Sequence, residues 1–140
     1  SLLNKYWGSD RVYHHSAPVN MNFGIREALR LLAKEGLEVS WDRHRKNAKL
    51  LWNSLENIGL ELQVREELRL PTLTTVKIPD GIDGKAFTKH LLNNFGVEIG
   101  GGLGDLAGKV WRIGLMGYNS TSTNVDKIIN ILETELPKFR

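Results

Sequence analysis

The chain is 140 residues long, 41% hydrophobic and 25% charged, with 14 glycines, 4 prolines and no cysteine. This length and composition suit one globular domain, or one domain with an appendage, and exclude collagen-like, low-complexity and disulfide- or thiolate-zinc-based architectures. No uninterrupted apolar run approaches the roughly 18 residues that span a bilayer. Nineteen basic against sixteen acidic residues give a net charge of +3, but the basic residues are scattered. The densest run, Arg43 to Lys49, falls on a helix with an apolar back and reads as a solvated face, so neither nucleic acid nor a membrane is indicated as a partner.

The first eighteen residues carry no period and end at Pro18, which predicts irregular chain leading to a helix; their abrupt apolar start suggests a piece of something larger. From Val19 to about Lys34, Phe23, Ile25, Ala28, Leu29, Leu32 and Ala33 recur near the 3.6-residue period, and Gly36 interrupts them. A second helical pattern runs from Leu37 to Ile58 and stops at Gly59, suited to a left-handed cap. The period then becomes two: Leu60, Leu62 and Val64 predict a short strand, and Thr72 to Ile78 a second one paired antiparallel with it, closed by Pro79-Asp80-Gly81. Ala86, Phe87, Leu91, Leu92 and Phe95 predict a helix ending at Gly96, followed by a strand Val97 to Ile99. A glycine-rich stretch, residues 100–108, feeds a strand from Val110 to Met116. The last helix begins among Asn119 to Thr123 and buries Val125, Ile128, Ile129 and Leu132. This order predicts an α+β arrangement, a small and mostly antiparallel sheet with helices on one face.

The glycine stretch fits neither phosphate-binding motif. A P-loop would need glycine where Leu103 stands and Ser or Thr after Lys109. Gly102-Leu103-Gly104-Asp105-Leu106-Ala107 matches the dinucleotide pattern, but that mechanism requires a helix next, and Val110-Trp111-Arg112-Ile113 predicts a strand. A structural connection between strands, or a bare backbone that something approaches closely, are the other readings.

Alternation along Val110 to Met116 puts Trp111, Ile113 and Leu115 on the core face and Arg112 opposite, beside Gly114. Arg112 is then either a solvated strand arginine or a guanidinium fork for a carboxylate or phosphate. Tyr13-His14-His15-Ser16 gathers hydrogen-bonding groups before a helix start. It is poor as a metal site and better as an anion site through Tyr13 and Ser16, with capping by Ser16 as the plainer alternative. No nucleophile-and-base set is in view, and Glu66-Glu67 reads as surface.

These features align in one register with a family. Residues 10–18 (DRVYHHSAP), 25–29 (IREAL), 69–76 (RLPTLTTV), 101–104 (GGLG) and 108–117 (GKVWRIGLMG) strongly resemble the C-terminal part of alanine–glyoxylate (serine–pyruvate) aminotransferases. These are class V enzymes of fold type I that use pyridoxal 5'-phosphate. The resemblance implies that residues 1–36 are the trailing segment of the large cofactor domain and 37–140 the C-terminal small domain. It implies that Arg112 binds the substrate α-carboxylate and that Tyr13 and Ser16 reach across a homodimer interface to the cofactor phosphate. The family carries Thr where Ser16 stands, and the hydroxyl is kept.

The family's Schiff-base lysine lies in a Ser-Gly-Ser-Gln-Lys setting, and none of the ten lysines here has that context. The resemblance therefore implies a fragment that is inactive alone and belongs to an enzyme moving the amino group of alanine or serine to glyoxylate or pyruvate; related proteins act on 3-hydroxykynurenine. The alternative is a non-enzymatic α+β module that dimerises or binds a carboxylate through Arg112. The family points to a peroxisomal or mitochondrial setting, although Lys138-Phe139-Arg140 is not a peroxisomal tripeptide.

Overall fold

The computed structural model describes residues 1–8, 12–13 and 15–139, with Leu2 and Leu3 described by backbone alone. It divides into two compact units, Ser1–Leu37 and Glu38–Arg140.

The first unit carries a helix that sequence periodicity did not predict. Helix α1 spans Leu2–Trp7, with the Ser1 hydroxyl accepting from the Asn4 amide. Six residues are too few to show a 3.6-residue period, and the contacts that hold α1 come from further along the chain. The Tyr6 ring stacks on His15 at 5.3 Å, and its hydroxyl donates to the His15 carbonyl. Helix α2, Val19–Glu35, follows its predicted range closely and stops at Gly36, whose φ of 92° suits glycine. None of its residues is buried: Phe23, Ile25 and Leu29 are all more than half exposed.

The second unit holds the core. Helix α3, Leu37–Asn57, buries Ala48, Leu51, Trp52 and Leu55, the i, i+3, i+4, i+7 stripe of an amphipathic helix. Trp41, N-terminal to that stripe on the same helix, is half exposed. Strand β1, Leu73–Lys77, comes next, then helix α4, Gly84–Phe95, capped by the Asp83 carboxylate on the amides of Lys85 and Ala86. Strands β2, Gly100–Gly101, and β3, Val110–Gly114, complete an antiparallel three-stranded sheet in the order β1-β3-β2. Helix α5, Ser122–Glu135, is capped by the Thr121 hydroxyl. Its buried residues are Val125, Ile128, Ile131 and Leu132, with Ile129 only partly covered. Among the described residues no helix is long and apolar enough to cross a membrane.

One face of the sheet carries Thr74, Val76, Trp111 and Ile113, all buried with the inward faces of α3, α4 and α5. Register puts Val76 opposite Trp111 and Thr74 opposite Ile113, so the buried residues form cross-strand pairs. Each polar tip has a partner: Trp111 Nε1 donates to the Gly84 carbonyl and Trp52 Nε1 to Thr74 Oγ1.

Two expected strands are corrected. Leu60 to Val64 forms only a bridge, Leu62 to Val76, because Arg69 Nε takes the Val64 carbonyl and the chain enters a 3₁₀ turn at Glu66–Leu68. Val97 to Ile99 is not a strand. Gly96 caps α4 in the left-handed region and the Val97 amide returns to the Leu91 carbonyl, so sheet pairing starts only at Gly100. β-Propensity marked the wrong residues, because register with β3 decided the pairing.

Candidate functional site

Arg112 sits in the middle of β3, between buried Trp111 and Ile113, with its side chain on the opposite, more open face. Register builds a row across that face: Thr75 of β1, Arg112 of β3 and Gly100 of β2. Arg112 Nε donates to the Gly101 carbonyl at 2.7 Å. The guanidinium lies against bare backbone, and a Cβ on Gly100 would stand 3.3 Å from Nη2. The fork is therefore fixed at one edge, while among the described residues neither Nη1 nor Nη2 has a hydrogen-bond or ion-pair partner. A half-buried cation with two free N–H groups in one plane matches a carboxylate or phosphate.

The glycine stretch is not a loose linker. Two of its amides return within the loop, Leu106 to Leu103 and Ala107 to Gly104, and the Gly102 amide donates to the Val110 carbonyl of β3. A Cβ on Gly102 would fall 1.9 Å from the Leu106 carbonyl oxygen, so only glycine permits the closed loop. A 3₁₀ turn at Gly104–Leu106 and then β3 follow. No helix opens there to receive a pyrophosphate, which removes the dinucleotide reading.

In the first unit, Tyr13 Oη and Ser16 Oγ lie 3.1 Å apart, both on exposed residues. They are hydrogen-bonded to each other, so one proton lies between them and the other hydroxyl can turn its proton toward an anionic oxygen; both can do so only when the pair opens. The Ser16 hydroxyl does not cap α2, which has no side-chain cap. His14 lies outside the described residues, and His15 is occupied by Tyr6. Among the described residues no group of histidines and carboxylates could hold a metal ion. Arg112 belongs to one unit, and Tyr13 with Ser16 to the other.

Sequence reasoning missed two features. Thr75 flanks Arg112 because a pairing register is invisible to a Thr-rich run. Arg43, read with its basic neighbours as solvated, is corrected: its Nη1 donates to the carbonyls of Gly117 and Ser120 at 2.9 and 2.8 Å. A cavity of about 220 Å³ lined by Leu51, Glu98, Gly114 and Lys127 does not include Arg112. The guanidinium is half-buried on the outer face of the sheet.

A small antiparallel three-stranded sheet with helices fits the C-terminal domain of a pyridoxal-phosphate-dependent transferase. The chain is 62% identical to an alanine–glyoxylate aminotransferase of solved structure from Nostoc sp., with a TM-score of 0.89 over 96% of this chain and 36% of that one. The ureidoglycine–glyoxylate aminotransferase of Bacillus subtilis is 39% identical, with a TM-score of 0.90 over 98% of this chain and 35% of that one. The alanine–glyoxylate aminotransferase of Callithrix jacchus is 47% identical over 138 residues, 96% of this chain and 33% of the relative. No family model matches. By sequence and fold the chain is similar to the C-terminal part of alanine–glyoxylate aminotransferases and related class V enzymes. It spans about a third of the length of the relatives it matches.

Proposed function

We propose that the chain is the substrate-carboxylate half of a pyridoxal-phosphate-dependent aminotransferase that moves the amino group of alanine or serine to glyoxylate or pyruvate. The observation that carries this reading is the state of Arg112: Nε is tied to the Gly101 carbonyl, the guanidinium lies against the Gly100 backbone, and both Nη groups are free to bridge a carboxylate. A carboxylate held there has its direction fixed by the fork, which orients the adjoining α-carbon. Gly100 and Gly101 line one edge of the fork with bare backbone.

The residues present also fit the cofactor's phosphate. Tyr13 and Ser16 offer two exposed hydroxyls hydrogen-bonded to each other at 3.1 Å, and in the proposed homodimer this pair opens so that both donate to the phosphate held by the partner subunit. When bound, pyridoxal phosphate supplies the electron sink for amino transfer. The lysine that carries it and the acid that pairs its ring nitrogen come from sequence outside these 140 residues. The chain's own contribution is to bind and orient.

The test is to express the longest polypeptide carrying residues 1–140 and measure cofactor absorbance and amino transfer from alanine to glyoxylate. Both are expected there, and neither from the 140-residue chain alone. A longest form that binds no cofactor overturns the reading in favour of a non-enzymatic dimerisation or carboxylate-binding module.

A further inference from the structure

The strand that carries Arg112 ends in an unusual clamp. The backbone stays extended through Met116, with φ −141° and ψ 158°, and turns at Gly117, whose φ is +58°. Alternation therefore continues past β3. Leu115 is buried on the core face, and Met116 falls on the face of Arg112 and Gly114. The Met116 methyl lies 3.8 Å from where a Cβ on Gly114 would be, so it overlies the open ground beside the guanidinium.

At the turning residue, α3 takes hold of the backbone. The Gly117 amide donates to His44 Nε2 at 2.9 Å, and Arg43 Nη1 donates to the Gly117 and Ser120 carbonyls. Asn47 Nδ2 donates to the same Ser120 carbonyl at 2.7 Å. His44 Nδ1 lies 2.6 Å from the Ser40 carbonyl oxygen, which can only accept. The proton therefore sits on Nδ1 and the lone pair on Nε2 faces Gly117.

We propose that His44 is a positioning residue for the Arg112 carboxylate site: by accepting the Gly117 amide it fixes where the extended chain ends, and so where Met116 lies beside the bound substrate. This rests on the reading of Arg112 as the carboxylate clamp. His44 touches no substrate. It acts through Gly117, as supporting residues do when they hold a binding group in register.

The experiment uses the longest polypeptide loaded with cofactor, measuring kcat and KM for glyoxylate and alanine in His44→Ala, His44→Asn, His44→Gln and Arg112→Ala. Exchange of the Gly117 amide is followed by NMR in the 140-residue chain. His44→Ala is expected to raise KM for both substrates about three- to tenfold with kcat changed less than about twofold, and to speed Gly117 exchange. Gln places an acceptor near the Nε2 position and restores KM and protection. Asn reaches only as far as Nδ1 and does not. If His44→Ala fails to fold, the Gln and Asn pair decides alone.

Arg112→Ala raising KM while His44→Ala and His44→Asn leave it unchanged overturns this inference and spares the carboxylate reading. Equal effects of Gln and Asn on KM also overturn it, since they would show that reach toward Gly117 does not matter. Arg112→Ala leaving KM unchanged overturns both.

Discussion

The two units of this chain follow the same helical rules and end differently. In Glu38–Arg140 the apolar stripes of α3, α4 and α5 close on one sheet face, and Leu51, Leu55, Phe87, Leu91, Val76 and Val125 have no exposed surface. In Ser1–Leu37, α2 has an equally clear apolar period, yet Phe23, Ile25 and Leu29 remain exposed. Periodicity announces that a face needs covering, and it does not say whether the same chain covers it. The second unit is built to hold itself together. The first is held by local contacts such as Tyr6 on His15 and the surface pair Glu27–Arg30.

Substitutions in the two units are expected to differ in cost. Trp111→Ala removes a buried side chain packed on Phe87 at 5.0 Å and is expected to destabilise the chain by about 3–5 kcal/mol in urea unfolding. A loss below about 1 kcal/mol would show that the core is not where the stability lies. Asp83→Ala removes the cap shared by two amides of α4 and should cost about 0.5–2 kcal/mol in the same measurement.

Glu135 gives a pH-dependent term. Its buried carboxylate is held by Lys138 first and by His90 second, and both keep its pKa below the usual glutamate value. Protons therefore bind the unfolded chain more readily at this site. The stabilisation is full above the ordinary glutamate pKa of about 4.3 and is lost as pH falls through the lowered value. Glu135→Gln should flatten that acid limb of the stability profile, and an unchanged limb would remove Glu135 as its source. At the small end, Phe23→Ala in the 140-residue chain is expected to change stability by less than about 0.5 kcal/mol. A larger loss would mean that α2 buries its face after all.

Much of this was legible in the sequence, and for stated reasons. The four longer helices followed from period and caps, Gly96 and Thr121 among them. The inward set Trp111, Ile113 and Leu115 followed from alternation, which also turned Arg112 outward. What stayed hidden depends on pairing and long-range contact. The third strand fell on Gly100–Gly101, residues of poor β-propensity, because β3 selects them by register and Arg112 requires bare backbone beside it. Thr75 joined the row for the same reason. Arg43 and His44 looked like part of a charged surface, because their targets, Gly117 and Ser120, lie more than seventy residues away.

The proposed function stands on Arg112 holding the substrate carboxylate. Its most direct test is KM for glyoxylate in the longest, cofactor-loaded polypeptide, compared between the parent, Arg112→Lys and Arg112→Ala. A rise of about a hundredfold is expected for Ala, and for Lys only partial recovery, because a single ammonium cannot reproduce the two-pronged contact. A KM unchanged in Arg112→Ala would contradict it.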